Sequence, residues 1–558
     1  MEQLDTVHTE VLVVGGGGAA ARAAIEAADA GAKVAMVIKG RLGRSGATVF
    51  PVSLYGTFQA FDGDDPQDSR QQHYDDILSA AQGMCDPKLA RILTEEAPAS
   101  LQLLESYGVP FQRIDENRHV TYVGCFATRS RSHRVIGHGE PIMAAMAEQI
   151  SKRKGIALHE KMSVARLLVE DGKCIGALAV SPEGHRTAFL AKATLLATGG
   201  AGQLFKANLN PKDITGDGYV MAYRAGAELI NMEFMQTGIA IMRPLALLSP
   251  WTWGFAPKLV NDLGEEFLPN YLPKGLTPAE VYAAKTHFPF SVRDDSKYLD
   301  ISVLQEMRKG RRVFYDITDS PRLDAFRKTD LYPWLAGRGL DLTKERAEIS
   351  VYAQAVNGGV RIDENGASTL AGLYAAGEVT GGAHGADRLG GGMLSNCQVF
   401  GARAGRAAAS FAREQETPTL QAMSPEDLAL PAALPEGADG GEGDELRQEM
   451  KRRVRALMFD SLLIERNGKN LAAALAQLEE LGIASKANAG ASNVWQELEL
   501  ENLIDAGRLM VTSALHRTES RGSHFRSDFP DRDDTKWRHA VALRREHGEM
   551  KRRPVTFE

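Results

Sequence analysis

Four consecutive glycines near the start of the chain have the spacing of a phosphate-binding loop. Residues 15–20 read GGGGAA and fit the pattern G-x-G-x-x-A, directly after the apolar run VLVV. Gly15 permits a tight turn, Gly17 lets the backbone approach a pyrophosphate, and Ala20 allows a following helix to pack closely on the strand. Free N–H groups and the helix dipole favour an anion at that position. The stretch predicts a dinucleotide site, although a glycine match alone could also mark a structural turn.

A second glycine-rich stretch, residues 375–409, predicts another helix N-terminus beside a cofactor. It has Glu378 before the loop and His384 and Arg388 inside it. An ordinary glycine-rich loop would not require a histidine and an arginine in its interior. One expected feature is missing, because Ile38 and Lys39 end the second predicted strand where a ribose-binding acid usually stands.

The elements around these loops alternate in the βα style. The strand before the glycines, the helix-like stretch ARAAIEAADAGA and the strand KVAMVIK form a βαβ opening. A second buried strand, ATLLATGGAG, also ends in glycines. Residues 236–350 lose this alternation, and we interpret them as an inserted domain. Residues 416–444 are rich in Pro, Gly and acidic residues and are predicted to be a linker. Residues 445–558 contain amphipathic stretches typical of a small helical bundle and end in a basic segment, MKRRPV, interpreted as a solvated tail.

Composition limits the class of protein. The 558 residues are enough for two to four domains, and the net charge of −7 argues against a general attraction to nucleic acid or anionic membrane. No apolar run reaches the roughly 20 residues of a membrane span, and the first residues enter a strand pattern without room for a signal peptide. The four cysteines, which are Cys85, Cys125, Cys174 and Cys397, have no iron–sulfur or zinc spacing. We therefore expect a cytoplasmic protein without a metal or cluster of its own.

Motifs in order along nearly the whole chain resemble the flavoprotein-subunit family of succinate dehydrogenase, fumarate reductase and aspartate oxidase. They are GGGGAAARAA, LLATGGAG, ITGDGYVMAYRAGAELINMEFMQ, SVRDDSK, GGVRIDENG, AAGE with HGADRLGGG and VFG, and ESRGSHFRSDFPDRDD. The resemblance implies FAD and an α/β fold: a Rossmann-like FAD-binding domain in two parts, residues 1–235 and 351–415. It also implies an inserted α+β capping domain, residues 236–350, and a C-terminal helical domain.

The resemblance assigns many residues to the cofactor. The predicted FAD-binding set is Gly15, Gly17, Gly18, Ala20, Lys39, Ser45, Gly46, Ala47, Thr48, Thr198, Gly199, Gly200, Asp217, Glu378, Arg388, Gly391, Met393 and Leu394. In membrane-bound relatives, a histidine in an arginine-serine-histidine-threonine stretch attaches FAD covalently. Gly46 stands in its place, so we expect noncovalent FAD, and this argues against succinate oxidation as the physiological direction. For His133 and His138, a cofactor-side role and a structural role both stay open.

The same resemblance implies a catalytic set of Arg293, Arg388 and His384. Arg293, in SVRDDSK, is similar to the arginine that exchanges a proton with the substrate. An arginine can do so only where its neutral form is reachable, because its ordinary pKa exceeds about 12. Arg388 is similar to the arginine that clamps a substrate carboxylate, for which a guanidinium fork is suited. His384 precedes it as in the family.

Departures from the family affect the substrate side. Two expected histidines are replaced by Thr237, after MEFMQ, and by Gln354. The acidic, glycine-rich stretch that should follow the first is replaced by RPLALLSPWTWGFAP. Trp251 and Trp253 in that stretch could bury against an apolar substrate or simply pack the cap. The predicted substrate pocket consists of Gln236, Thr237, Trp253 and Gln354, and it is not an intact dicarboxylate site.

The C-terminal motif predicts a structural role. Its residues Glu519, Arg521, His524, Arg526 and Asp528 match a family signature. We predict a packed polar network that holds the helical domain on the FAD-binding domain.

These observations predict an FAD-dependent oxidoreductase that transfers a hydride and a proton beside a carboxylate or carbonyl. The expected substrate is an organic acid larger or less charged than fumarate or succinate. Since this chain has no cluster ligands, an iron–sulfur protein subunit is the expected electron partner. The alternatives are a stand-alone oxidase like aspartate oxidase, a flavoprotein like the catalytic subunit of adenylylsulfate reductase, and a noncatalytic electron-transfer subunit. The presence of both arginines argues against the last.

Overall fold

The computed structural model describes residues 4–50, 52–420, 423–424, 428–431, 434, 441–490 and 492–557. Part of the predicted linker, residues 416–444, lies outside the described residues. The strands are β1 Leu4–Val14, β2 Val34–Ile38, β3 Tyr55–Gln59, β4 Thr121–Val123, β5 Ser130–Ile136, β6 Ile156–Glu160, β7 Ser163–Glu170, β8 Lys173–Val180, β9 Arg186–Leu196, β10 Leu229–Ile230, β11 Met235–Ile241, β12 Ala246–Leu247, β13 Lys258–Asn261, β14 Val313–Asp316, β15 Ala347–Val356, β16 Gly359–Arg361, β17 Leu373–Ala375, β18 Thr380–Gly381, β19 Glu465–Arg466, β20 Phe525–Arg526, β21 Ala540–Glu546 and β22 Glu549–Val555. The α-helices are α1 Gly18–Asp29, α2 Arg70–Ala81, α3 Pro87–Ser106, α4 Glu140–Ser151, α5 Asp217–Arg224, α6 Pro278–Ala284, α7 Lys297–Arg308, α8 Leu323–Arg327, α9 Leu331–Ala336, α10 Gly392–Arg413, α11 Gly441–Leu462, α12 Gly468–Ala487, α13 Val494–His516 and α14 Asp534–Trp537.

The largest sheet has the order β6-β2-β1-β9-β8-β7, and β17 also pairs with β9. Strands β6, β2, β1, β9 and β17 run parallel to their neighbours, whereas β8 and β7 are antiparallel additions. The apolar run at the end of β1 is buried on both faces because helices cover this parallel part. The βαβ opening predicted from the sequence is confirmed.

Small residues bring α10 onto α1. A Cβ on Gly401 would lie 2.8 Å from the Ala19 carbonyl oxygen, and one on Gly405 would lie 2.3 Å from that of Ala23. Only glycine permits this contact at either position. The close crossing places the N-termini of α1 and α10 on the same side of the sheet, where both predicted glycine loops meet.

The inserted region is built on a second sheet, with the order β12-β11-β15-β14-β13 and antiparallel pairing throughout. Strand β11 pairs with β15, so the chain enters and leaves this region side by side. Helices α6 to α9 complete it. The predicted capping domain, residues 236–350, falls on this sheet, and its boundaries stay a prediction.

The C-terminal region combines helices with a hairpin. Helices α11, α12 and α13 pack together, as the amphipathic spacing predicted. Strands β21 and β22 then join the sheet β18-β16-β10-β21-β22. Residues 550–555 are not a free tail, because they form β22, but most of their side chains are exposed, as the interpretation of a solvated segment predicted. Among the described residues, no helix is both long and apolar enough to cross a bilayer.

Candidate active site

The first glycine loop connects β1 to α1. Gly15 has a φ of +129°, and a Cβ there would lie 2.2 Å from the Ala197 carbonyl oxygen. Gly17 precedes α1, and the nearest atom to a Cβ added there would be the Thr48 hydroxyl, at 3.5 Å. The Gly18 N–H donates to this hydroxyl at 3.2 Å. An anionic group can approach the start of α1 beside the Thr48 hydroxyl, as the G-x-G-x-x-A pattern predicts.

This loop forms one end of a cavity of about 1060 Å³, which we call the cofactor cavity. The predicted FAD-binding residues that line it are Gly15, Gly17, Gly18, Lys39, Ser45, Gly46, Ala47, Thr48, Thr198, Gly199, Asp217, Glu378, Met393 and Leu394. Ala20 is instead fully buried in α1. A Cβ on Gly200 would lie 2.1 Å from Glu378 Oε1, so Gly200 makes room for that side chain. Arg388 and Gly391 line a neighbouring cavity.

Lys39 takes part in a charge network between domains. Its Nζ lies 3.2 Å from Asp217 and 2.9 Å from Glu499 of α13, and it also donates to Thr215. Burial alone would lower the pKa of Lys39, but the two carboxylates raise it above its ordinary value. Lys39 is therefore charged and held in the cavity wall. Asp213 supplies a further acid in that wall, and burial raises its pKa; sequence reasoning missed it, although it directly precedes the ITGDG motif.

The residues present fit FAD. Thr198 lines the cofactor cavity, and its hydroxyl, which packs beside Gly218, is buried without a hydrogen-bond partner in the described part of the chain. Gly46, at the position of the family's attachment histidine, offers no side chain, and a Cβ there would meet nothing within 4 Å. Together with the N-terminus of α1, this wall can accept a pyrophosphate and polar ring edges.

A second cavity, of about 2420 Å³, opens between the inserted region and the small antiparallel sheet of β3, β5 and β4; we call it the substrate cavity. It joins the cofactor cavity, because Ala47, Thr48, Glu378, Met393 and Leu394 line both. Its wall is largely apolar and aromatic. The aromatic residues are Phe50, Tyr55, Tyr122, Trp251, Phe288 and Trp334.

Arg388 is the buried cation of this cavity, only 8% exposed. Its Nε donates to Gln236 Oε1 at 3.0 Å, and Gln236 Nε2 donates to the Arg388 carbonyl at 3.4 Å. No acceptor among the described residues takes a hydrogen bond from Arg388 Nη2. Burial lowers the pKa of Arg388, and the nearby Glu378 counteracts this effect. Gln236 therefore orients a guanidinium that still has free donors for an anion.

Glu378 lies at the junction of the two cavities. Burial raises its pKa to about 7, although the Val356 N–H, 3.2 Å from Oε1, and the charge of Arg388 act in the opposite direction. This carboxyl can therefore change protonation near neutral pH. The N-terminus of α10, at Met393 and Leu394, lines the same junction.

His384 lies behind Arg388 and not on the wall of the substrate cavity. It borders a separate space of about 220 Å³ together with Asp387 and Arg388. Its Nε2 is 2.9 Å from Asn396 Nδ2. Burial lowers the pKa of His384 to about 3, and Arg388 adds to the effect, so the ring is neutral. Burial also raises the pKa of Asp387 to about 6, against a hydrogen bond from Ser291.

The predicted substrate residues divide into two groups. Gln354 lines the substrate cavity, and its Oε1 is buried without a partner within the described ranges. Gln236 acts on Arg388, whereas Thr237 is buried in β11 away from the cavity wall, with an unpaired hydroxyl among the described residues. Trp253 is also not in the wall. Its ring stacks on Tyr282 with centroids 6.0 Å apart and meets Tyr315 edge-on at 5.6 Å.

Of the two tryptophans, Trp251 is the one that faces the cavity. It is 48% exposed, whereas Trp253 is 2% exposed. The sequence left two roles open for these tryptophans, and each ring takes one of them. Trp251 lies at the cavity, and Trp253 packs in the core of the inserted region.

Arg293 is exposed and lies outside the cavity wall. Its Cζ is 5.2 Å from the centroid of Phe126, whose ring stacks on His287. The structure thus places Arg293 and Arg388 in different surroundings.

The two histidines whose role the sequence left open lie on different faces of the small sheet. His138 lines the substrate cavity, but His133 lies on the opposite face.

Sequence reasoning missed several residues of the wall. Tyr55, Thr57 and Arg134 come from β3 and β5, and Cys125 from the loop between β4 and β5. The alternation of the strands could have shown that Tyr55 and Thr57 share a face, but not that the inserted region covers it.

The α/β domain with its glycine-rich loops and the cavity beside them are typical of an FAD-binding flavoprotein. One family model, described as an FAD binding domain, matches residues 10–394, and another, described as fumarate reductase flavoprotein C-term, matches residues 447–558. An uncharacterized FAD-dependent oxidoreductase of Methanocaldococcus jannaschii is 33% identical over 96% of this chain and 96% of its own. The fumarate reductase (CoM/CoB) of Methanothermobacter marburgensis has a chain that is 33% identical over 96% of this one and 97% of its own length.

A solved structure agrees over the whole chain. Mycobacterium smegmatis Sdh1 in complex with UQ1 has a TM-score of 0.84 and 28% identity, covering 100% of this chain and 95% of that one. The chain therefore belongs to the flavoprotein-subunit family of succinate dehydrogenase and fumarate reductase, and it is an FAD-dependent oxidoreductase. The predicted family, fold class and cofactor are confirmed.

Proposed function

We propose that this enzyme transfers a hydride and a proton on a carboxylate- or carbonyl-activated substrate other than fumarate or succinate. The observation that carries the proposal is the substrate cavity itself. Its buried cation is Arg388, and most of its wall is aromatic or aliphatic. A single buried guanidinium suits one carboxylate, and the aromatic wall suits an apolar body.

When bound, FAD supplies two-electron hydride chemistry. Arg388 would bind the substrate carboxylate through its free Nη donors, and Gln236 keeps its orientation. Gln354 lines this cavity, and its amide oxygen is buried without a partner among the described residues. By turning toward the cavity, this oxygen would accept a hydrogen bond from a substrate hydroxyl or amide. The apolar wall excludes water and thereby strengthens these contacts.

Proton transfer is proposed for Arg293. Its guanidinium is exposed beside Phe126 and would have to reach the substrate past that ring. An arginine whose charge remains solvated cannot serve as a base near neutral pH. The role therefore requires Arg293 to be shielded from water when substrate binds.

The test is a screen of carboxylic acids for reoxidation of the dithionite-reduced flavin. Short dicarboxylates, unsaturated aliphatic monocarboxylates and aryl-substituted acrylates form the three arms. We expect the last two to react and fumarate to react slowly. Rapid reduction of fumarate would contradict the proposal.

A matched pair of variants sharpens this test. Arg388→Gln should lower kcat/KM by about 30-fold or more, since removing one partner of a buried charge interaction costs about 2–5 kcal/mol. Arg134→Gln, which makes the same chemical change in a part-exposed side chain of the same cavity, should have a smaller effect. Arg293→Ala should lower kcat while leaving FAD content unchanged. Equal effects of the first two variants would place the carboxylate elsewhere.

We also propose noncovalent FAD and an iron–sulfur protein as electron partner. Glycine at position 46 supports the first. The second is supported by the four separate free cysteines, since among the described residues none pairs with another. Flavin that stays with acid-precipitated protein would contradict the first. Faster reoxidation by oxygen, with peroxide release, than by a ferredoxin would favour a stand-alone oxidase instead.

A further inference from the structure

Two histidines and a carboxylate converge on the face of the small sheet opposite the substrate cavity. Asp62, His119 and His133 each offer one ligand atom, and these atoms all lie within 4.8 Å of one another. Asp62 Oδ2 is 2.7 Å from His133 Nε2 and 3.8 Å from His119 Nδ1. Both histidines are buried, whereas the Asp62 side chain is 16% exposed, so solvent ions can reach the cluster from the Asp62 side.

The other polar atom of each side chain already has a partner. His133 Nδ1 lies 3.2 Å from the Phe58 carbonyl oxygen, and His119 Nε2 lies 2.8 Å from Glu105 Oε1. Asp62 Oδ1 accepts from the Asp64 N–H at 3.0 Å. Histidines that bind metals commonly donate their second N–H to a carbonyl or a carboxylate in this way.

These partners determine which atoms face the centre of the cluster. A carbonyl and a carboxylate only accept, so His133 Nδ1 and His119 Nε2 carry hydrogens. The remaining nitrogens, His133 Nε2 and His119 Nδ1, face Asp62 Oδ2. The 2.7 Å contact between His133 Nε2 and Asp62 Oδ2 is a hydrogen bond. A bound metal ion would replace the hydrogen of that bond and take all three atoms as ligands.

We propose that Asp62, His119 and His133 bind a divalent transition-metal cation of the Zn²⁺ class. Imidazole nitrogens with one carboxylate oxygen favour Zn²⁺, Co²⁺ or Ni²⁺ over Mg²⁺ and Ca²⁺, which prefer oxygen ligands. Ligand atoms about 2.1 Å from a tetrahedral ion are about 3.4 Å apart. On metal binding, Asp62 would move away from His133 and toward His119, and the two histidine nitrogens, which lie within 4.8 Å of each other, would adjust to the same spacing. Water would be the fourth ligand.

A metal bound at this site would stabilise the small sheet of β3, β4 and β5, which forms one wall of the substrate cavity. His133 lies in β5 between Phe58 of β3 and Thr121 of β4. On the opposite face of the same strands, Tyr55 and Thr57 line the substrate cavity. A bound metal would tie the loop after β3 to the start of β4 and, through Glu105, to α3. Its main effect would be on stability, because none of its ligands lines the cavity.

The experiment uses FAD-loaded, tag-free protein. The protein is treated with chelator, dialysed against Zn²⁺ or Mg²⁺, and measured for bound metal per chain and for the thermal midpoint. The variants are Asp62→Asn and His119→Gln, which keep the side-chain shape. His547→Gln, which removes an exposed histidine elsewhere, is the matched control.

We expect one Zn²⁺ per chain in the wild type and in His547→Gln, and a thermal midpoint raised by Zn²⁺ but not by Mg²⁺. Asp62→Asn and His119→Gln should weaken Zn²⁺ binding by about tenfold or more and remove that thermal shift. The proposal is overturned if the wild type takes up no stoichiometric Zn²⁺, or if His119→Gln binds it as the wild type does. Should a variant fail to retain FAD, the wild-type stoichiometry and the Zn²⁺-against-Mg²⁺ shift alone decide.

Discussion

Two buried polar regions of this enzyme differ in whether their hydrogen bonds are complete. In the first, which we call the arginine–glutamate network, Glu233, Arg517, Glu519 and Arg521 have fully buried side chains. Arg517 donates to both glutamates, and Arg521 donates to both oxygens of Glu519. In the substrate cavity, by contrast, Gln354 Oε1 has no partner among the described residues.

This difference distinguishes a region that stabilises the fold from a region where a ligand is expected to bind. Arg521 also donates to the Gln82 carbonyl, so the network ties the C-terminal region to the first part of the FAD-binding domain. A complete network has no capacity left for a ligand and serves stability. Polar groups left open beside a cavity cost stability in the absence of a ligand, and are therefore expected where a ligand supplies the missing partner.

The largest effect is expected from breaking the complete network. Glu519→Gln removes the buried carboxylate that Arg517 and Arg521 share, leaving Arg517 with Glu233 alone and Arg521 with the half-exposed Asp534. It should lower the free energy of unfolding by about 3–5 kcal/mol. Denaturant unfolding of the FAD-loaded protein measures this. Asp534→Asn is the control, because this half-exposed partner of Arg521 should contribute about 1 kcal/mol or less. If both variants lowered the free energy of unfolding by similar amounts, the arginine–glutamate network would not have the special role in stability that we assign to it.

The two tryptophans test the same contrast in the inserted region. Trp253→Ala removes a ring from the cap core and should cost about 3–5 kcal/mol if the site cannot collapse. Trp251→Ala should leave stability nearly unchanged and raise KM for a substrate with an apolar body. Thermal unfolding and steady-state kinetics check the pair. A raised KM from Trp253→Leu in a stable protein would return Trp253 to the substrate site.

A smaller effect is expected from Glu378, through pH. Folding raises its pKa from an ordinary value near 4.3 to about 7. The folded chain thus binds more protons between these values, so this contribution to stability is complete below the lower value and is lost as pH rises through 7. In FAD-free protein, Glu378→Gln should remove a decline of about 1–3 kcal/mol between pH 5 and pH 8. Parallel pH profiles for variant and wild type would show that Glu378 stays ionised.

The smallest effect is expected at Thr237. Its hydroxyl is buried without a partner in the described residues, so Thr237→Val should change the free energy of unfolding by less than about 1 kcal/mol and leave kcat/KM unchanged. Thr252→Val is the control, since that hydroxyl donates to the Ser249 carbonyl and its loss should cost about 1 kcal/mol. A marked change in KM at Thr237 would mean that its hydroxyl meets the substrate.

The cofactor side was largely predictable because its requirements are local. Gly15 and Gly17 are demanded by a turn and by a close backbone approach within a few residues of each other. Most of the predicted FAD-binding set does line the cofactor cavity. The requirement for glycine at position 200 is not local, because it comes from contact with Glu378, a residue far away in the sequence.

The substrate side was less predictable because neighbouring residues can point in opposite directions. His384 and Arg388 share one loop, but Arg388 lines the substrate cavity and His384 faces a separate space behind it. The aromatic wall combines β3 with segments of the inserted region that are hundreds of residues later. No spacing within a single motif indicates such a surface.

By itself, the sequence determined the glycine-rich loops and the order of the family motifs, and it predicted that Thr237 and Gln354 replace two substrate histidines of the family. These features depend on residue type at nearby positions, where backbone geometry leaves few choices. Only the tertiary structure decided that Trp251 and not Trp253 faces the cavity, that Arg293 is exposed, and that Asp62, His119 and His133 meet. Each of these results depends on which distant segment packs against a side chain, and that is set by burial over the whole fold.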